Sequence, residues 1–231
     1  IREGNERVLA ARLADAKFFF DEDRKVRLEE RAKKLSGVTF HQKLGTMAQK
    51  QERVKKLAGF IAERVPSGQT EFRHIAERAA SLSKADLLTG IVGEFPELQG
   101  IMGGEYARHD GESTAVAQAI REQYLPKAIE GELPETEAGQ VLSLADRLDS
   151  IAAFFHVGLV PTGSEDPFAL RRHATAIVRI ILEQTLRLNL ADVIDRATNL
   201  VAGDGFKGGT DSQQVKQRRI TDFLFERVRH Y

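Results

Sequence analysis

Side chains able to bind a metal or move a proton are scattered along this chain. The six histidines are His41, His74, His109, His156, His173 and His230. None stands four residues from another, the spacing that would put two imidazoles on one helix face as metal ligands. His109-Asp110 is the one literal His-Asp dipeptide, and Gly111 makes it part of a turn. Asp146 and Asp149 lie three residues apart, hence on one face of a helix. Such a pair can hold a hard cation, and with no histidine nearby in sequence a surface or ion-paired role is preferred. There is no cysteine, which excludes disulfides, thiolate metal sites and cysteine nucleophiles. No nucleophile elbow, Ser-His-Asp arrangement or phosphate-binding Walker loop is present.

Three glycine- or proline-shaped stretches carry the remaining chemistry. Gly203, Gly205 and Gly208 match the dinucleotide pattern G-x-G-x-x-G. That pattern acts only between a strand and a helix, where backbone amides face a pyrophosphate. A helical stretch precedes it here, so an interhelical loop is expected. In Pro161–Arg172 (PTGSEDPFALRR), Ser164 or Asp166 is placed to cap a helix, and Arg171 and Arg172 follow within about one turn. An anion site competes there with a capped helix whose arginines pair with acidic neighbours. In His41–Met47 (HQKLGTM), His41, Lys43 and Thr46 present polar groups either to RNA or a partner, or simply to the start of a helix capped by Thr46.

These groups sit among elements with helical periodicity nearly throughout. Val8, Leu9, Leu13 and Ala16 mark a first helix and Asp21–Lys34 a charged second. Val54, Leu57, Ala58 and Ile61 mark a third; Phe72, Ile75, Ala76, Ala79 and Leu82 mark a fourth. Further helices are expected before Phe95-Pro96, over Ala115–Tyr124 and around Leu144–Phe155. Phe168–Leu188 is apolar on most sides and is expected to be the central buried helix. Thr210 and Gln213 have capping-box spacing before a last helix. No alternating strand pattern of useful length is visible, so the fold is expected to be all-α. The expected division is a helical domain over 1–200, a flexible glycine-rich loop over 201–210 and a C-terminal helix over 211–231 leading into a further region.

Of the 231 residues, 34 are basic and 34 acidic, so the formal net charge is zero. With 42% hydrophobic residues, the composition is that of a folded chain. Neutrality excludes a uniformly basic nucleic-acid binder but not a local basic patch. The charge is segregated: residues 1–83 carry +6, residues 84–166 carry −10 and residues 167–231 carry +4. The most apolar windows, Ile151–Val160 and Ala174–Leu182, are far shorter than the roughly 20 residues that span a bilayer. The first residues, IREGNERVLA, lack a starting Met and suggest a piece of a longer protein.

Several stretches together resemble one family. They are EGNERVLAARLADAKFFFDEDRK, FHQKLGTMAQKQERV, ADLLTGIVGEFPELQGIMGGEYA, DGESTAVAQAIREQYLP, LADRLDSIAAFF and GLVPTGSEDPFALRR. They occur in the order expected of the beta subunit of bacterial glycyl-tRNA synthetase, from about Glu3 to about Leu188. The resemblance implies an HD-domain-like helical bundle, a fold whose members often hydrolyse phosphate esters at a divalent metal held by a His, a His-Asp pair and a later Asp. By resemblance the region of Lys50 and Gln51 takes the first His, Ala85-Asp86 the His-Asp pair and Asp146 the last Asp. The carboxylates persist and the imidazoles do not, so a degenerate, non-catalytic centre is expected, with no metal and no cofactor of its own.

The parent assembly, by the same resemblance, is an ATP- and Mg-dependent glycine–tRNA ligase of the cytoplasm. Its beta chain works with an alpha subunit and with tRNA(Gly). His41, Lys43, Arg171 and Arg172 are the expected RNA or partner contacts, combining donors with phosphate-compatible charge. Glu165 stands where the family often has a lysine, which argues against a direct phosphate role for its loop. The alternatives are an active metal-dependent HD phosphohydrolase and a pure interaction scaffold.

Overall fold

The computed structural model describes residues 2–65 and 70–229. Among these the chain is all-α, with one minimal hairpin as its only sheet. Helix α1 (Arg2–Asp23) is anchored at its C-terminal end: Phe20 stacks on Tyr106, and the Asp23 carboxylate accepts from Gly90 N, Ile91 N, Tyr106 Oη and Arg31. The periodic Val8, Leu9 and Leu13 are exposed, contrary to the core role that their spacing suggests. The charged stretch after it resolves into α2 (Leu28–Lys33) and a tight 3₁₀ turn over Lys34–Gly37.

Strands β1 (Thr39–His41) and β2 (Gly45–Thr46) form an antiparallel hairpin too short to leave an alternating signature. It delivers the chain to α3 (Met47–Ala62). Thr46 caps that helix as expected: its hydroxyl accepts from Gln49 N, and the Gln49 amide oxygen accepts from Thr46 N at 2.9 Å. Then come α4 (Thr70–Leu82), α5 (Gly90–Glu94), α6 (Ile101–His109) and α7 (Thr114–Glu122).

The centre of the fold is α8 (Glu137–His156), buried along its whole length from Ala138 onward. It is flanked by α3, α4 and α7, and by α9 (Leu170–Glu183), α10 (Leu190–Gly203) and α11 (Gln213–Val228). This corrects the expectation that 168–188 is the central helix. α9 is amphipathic, with exposed Arg172 and Leu182, and Thr185 at φ 55° ends the helical path. α8 takes the centre because Ala138, Gly139, Ala145, Ala152 and Ala153 let neighbours approach on every side. Its polar residues find partners inside the fold, as the site below requires.

Two boundaries also differ from expectation. α10 runs to Gly203, into the expected 201–210 loop, because Leu200 and Val201 continue its apolar side. α11 is capped by Ser212, whose hydroxyl accepts from Val215 N, rather than by Thr210. The G-x-G-x-x-G stretch joins these two helices, with no strand before it.

Helices α6 and α7 cross at Gly104, where a Cβ would lie 2.8 Å from Ala117 O and 2.9 Å from Arg121 Cβ. Backbone cannot step aside as a flexible side chain can. Gly104→Ala gains at most about 1 kcal/mol in helix propensity, and the overpacking costs about 1–3 kcal/mol. The expected outcome is a net loss of stability, read as a lower midpoint in chemical denaturation with an unchanged slope.

Candidate functional site

Three cations that sit on the apolar faces of their own helices converge on the two aspartates of α8. Lys50 and Arg53 precede Val54, Leu57 and Ile61 on the buried stripe of α3. Lys84 follows Ala76 and Ala80 at steps of four, just beyond the end of α4. All three are buried, as are Asp146 and Asp149.

Asp146 is held from two sides. Its Oδ1 lies 3.0 Å from Lys50 Nζ, and its Oδ2 accepts from Lys84 Nζ at 2.8 Å. The contact to Oδ1 is one of charge, and Lys50 donates its hydrogen bonds to the Asp146 carbonyl and Asp149 Oδ2, both at 3.1 Å, and to Ser150 Oγ at 2.9 Å. Arg53 grips both oxygens of Asp149, at 2.6 and 3.2 Å, and reaches Asp204 Oδ2 at 2.6 Å. Lys84 Nζ lies 3.9 Å from the centre of the Tyr124 ring, a cation–π contact. Lys84 takes a left-handed backbone, φ 65°, which costs a non-glycine residue of order 1 kcal/mol and persists where the surroundings demand it.

Burial and charge compete at each group. Burial would raise the Asp146 carboxyl, but the two ammonium groups hold it far below the ordinary carboxylate range. Burial lowers Lys84, and Asp146 offsets part of that. Burial would lower Arg53, but the Asp149 and Asp204 carboxylates keep it above its usual value. Tyr124 is raised well above 10 by burial and by Asp86 and Asp146.

Arg147, the next residue on α8, turns the other way. It donates to Ser143 Oγ at 3.1 Å and to the carbonyls of Tyr124 and Pro126, both at 2.9 Å, and lies 3.4 Å from His173 Nδ1. Burial lowers its pKa to about 10. His173 is pushed down to about 3 by burial and by the Arg147 charge beside it.

The residues expected from sequence fall in several places. Asp146 is in the cluster. Asp86 is buried nearby, its Oδ2 accepting from Gly100 N at 2.6 Å and its Oδ1 without a partner; burial raises its pKa. Ala85 is core, fully buried. The side chain that reaches Asp146 from this segment is Lys84, one residue before the Ala85-Asp86 pair; its step of four from Ala80 is the signal that marks it.

His41 packs edge-on to Phe154 and Phe168, and its Nδ1 accepts from Lys43 N. The Lys43 side chain is exposed. Asp166 accepts from the amides of both Leu170 and Arg171, so the chain's own carboxylate fills the start of α9. Arg171 donates back to Gly163 O at 2.6 Å and closes its loop. Arg172 lines a cavity with Arg147 and His173. The glycine-rich loop is tied down through Asp204, through His156 Nε2 at 3.2 Å from Phe206 O, and through Gly209 N donating to His156 O at 2.8 Å. His230 lies outside the described residues.

The family model of the glycyl-tRNA synthetase beta subunit matches residues 1–231. The chain belongs to this family. It is 54% identical over 200 residues to the glycine–tRNA ligase beta subunit of Trichlorobacter lovleyi, covering 86% of this chain and 28% of that protein. It is 47% identical over 231 residues to that of Ralstonia nicotianae, covering 100% of this chain and 32% of the relative. For Shouchella clausii the figures are 45% over 230 residues, 100% and 33%. The chain thus spans about a third of the length of the curated relatives it matches. No described helix is long and apolar enough to cross a membrane.

The low pKa of His173 has a consequence for this family member. An unfolded imidazole takes up a proton near pH 6.5, and the folded one only near 3. This group therefore imposes no acid penalty above about pH 6.5, and it costs up to about 1.4 kcal/mol per unit as pH falls toward 3. His173→Gln should flatten the pH dependence of the unfolding free energy between pH 6 and 4 relative to the parent chain.

Proposed function

We propose that this chain is a non-catalytic, HD-like module of an ATP-dependent ligase that joins glycine to tRNA. In this reading it supports tRNA recognition and assembly with the alpha subunit and other parts of the beta chain, and the chemistry takes place elsewhere. Family membership supports the setting. The observation that carries the non-catalytic reading is the pair of ammonium groups at 3.0 and 2.8 Å on the two oxygens of Asp146.

In an HD-type hydrolase an aspartate at that position would share a divalent ion with imidazoles and lower the pKa of bound water. By the resemblance, the region of Lys50 and Gln51 takes the first-His position, and Lys84 precedes the Ala85-Asp86 pair at the His-Asp position. Their charge compensates the carboxylate without an ion, and an ammonium group carries only N–H donors, whereas a metal needs lone pairs. No group of three or more His, Asp or Glu suited to a metal occurs among the described residues. The donor set does not fit a divalent cation, and no hydrolytic step is assigned to it.

Lys43 and Arg172, both exposed, are the candidate RNA contacts with charge to offer. Arg171 supports its loop, and His41 orders the aromatic group beneath it. Cytoplasmic placement accords with this role.

The test is metal analysis and phosphoester turnover. After dialysis against Mn²⁺, Zn²⁺ or Mg²⁺, the chain is expected to retain less than stoichiometric metal. It should hydrolyse neither a phosphomonoester nor a cyclic or linear phosphodiester. One tightly held metal per chain, together with turnover that Asp146→Asn abolishes, would establish the hydrolase reading instead.

A further inference from the structure

Beside the lysine-held centre lies a cavity of about 270 Å³ whose walls carry more positive than negative charge. Arg147 is only 5% exposed, and each of its hydrogen bonds goes to a neutral group: a serine hydroxyl, two carbonyls and the His173 ring. No carboxylate hydrogen-bonds to Arg147 and the nearby Asp146 charge offsets its burial only in part, a costly arrangement, since a poorly compensated buried charge costs several kcal/mol. Arg172 and Lys127 stand exposed at the rim. Lys127 bonds to a backbone oxygen of Glu97 at 3.0 Å, not to a carboxylate. Of the acidic groups lining the cavity, Asp146 already faces two ammonium groups and Glu97 is exposed. The wall therefore offers Arg147 no hydrogen-bonded carboxylate.

A second observation narrows the chemistry. Gln123 lines the same cavity and is buried, with Nε2 donating to Ile120 O at 2.9 Å and Oε1 without a hydrogen-bond partner. A buried acceptor left unpaired costs about 1–3 kcal/mol. A ligand that satisfies both deficits brings anionic oxygens for the arginines and a hydroxyl donor for Gln123. The volume lies just below the range of about 300–1,000 Å³ typical of small-molecule sites, room for a phosphate and a sugar ring rather than an extended ligand.

We propose that this cavity binds a ribose phosphate, with Arg147 and Arg172 on the phosphate, Lys127 at the rim and Gln123 accepting from a sugar hydroxyl. The ribose phosphate belongs to a free mononucleotide or to one nucleotide of an RNA chain. The proposal rests on the cavity wall alone. A metal found at Asp146 would overturn the proposed function and leave it standing, and absence of phosphate here would do the reverse.

The test titrates the full chain with inorganic phosphate, adenosine 5′-monophosphate and a single-stranded RNA trinucleotide, at ionic strength held constant with chloride. Heat is followed by calorimetry and the arginine Nε–H signals by NMR. Saturable binding that moves the Arg147 signal is expected, and adenosine monophosphate should bind tighter than phosphate. Arg172→Ala and Lys127→Ala lie at the exposed rim and leave the core intact; loss of one charge-assisted contact should weaken binding about tenfold in the first. Tighter binding of the mononucleotide than of the trinucleotide identifies a free nucleotide as the source, and the reverse order an RNA chain; either upholds the site. No saturation beyond the chloride control would overturn it. So would an unmoved Arg147 signal, or affinity unchanged in both rim variants.

Discussion

A carboxylate in the middle of a helix bundle has to be compensated, and in this protein Asp146 is compensated by two lysines. Ionised and alone at that depth it would cost several kcal/mol. Lys50 from α3 and Lys84 from the turn after α4 each set an ammonium group about one hydrogen-bond length from one of its oxygens. The contact joins three elements far apart in sequence. It also coincides with the left-handed backbone at Lys84, which ends the α4 path at the residue whose side chain reaches Asp146. Such a cluster is not a net source of stability when compared with a well-packed apolar core. It is a constraint: removing one member leaves its partners buried with less compensation.

That constraint is what allows α8 to lie at the centre. A helix carrying Gln140, Ser143, Asp146, Arg147, Asp149 and Ser150 is not apolar, yet all six are buried. Lys50, Arg53 and Lys84 answer the carboxylates, and Ser143 with the carbonyls of Tyr124 and Pro126 answers Arg147. Arg53 carries the network outward to Asp204, so the glycine-rich loop after α10 is fastened to the same centre that fixes α3 against α8. The polar core thus sets both the packing of the bundle and the position of a surface loop.

Much of this was legible from residues, and the failures have physical causes. Helical periodicity, the break at Phe95-Pro96 and the Thr46 cap are local features, and they appear in the fold as read. The identity of the central helix is not legible in the sequence, because hydrophobicity alone does not measure burial where polar groups are paired. Phe168–Leu188 is richer in large apolar residues, but the paired polar groups of α8 are buried more completely. The hairpin at Thr39–Thr46 is too short for a period of two to register. At the site, Asp146 and the Lys50 region were visible, while Lys84 was passed over for the Ala85-Asp86 pair that follows it. A lysine continuing an alanine stripe is an apparent violation of the apolar pattern, and such violations mark the positions where a buried partner waits. Arg171 and Arg172 are adjacent in sequence yet part company, Arg171 closing its own loop and Arg172 lining a cavity, because neighbouring residues on a helix face different surroundings.

The central claim is that the two ammonium groups keep Asp146 ionised in the core, and the most direct measurement is an NMR titration of its carboxyl carbon. With side-chain-labelled aspartate, the Asp146 signal should stay at its ionised position from pH 7 down to pH 3, and Lys84→Met should bring a titration step into that window. A midpoint near 4 in the parent chain, unchanged by Lys84→Met, would contradict the account.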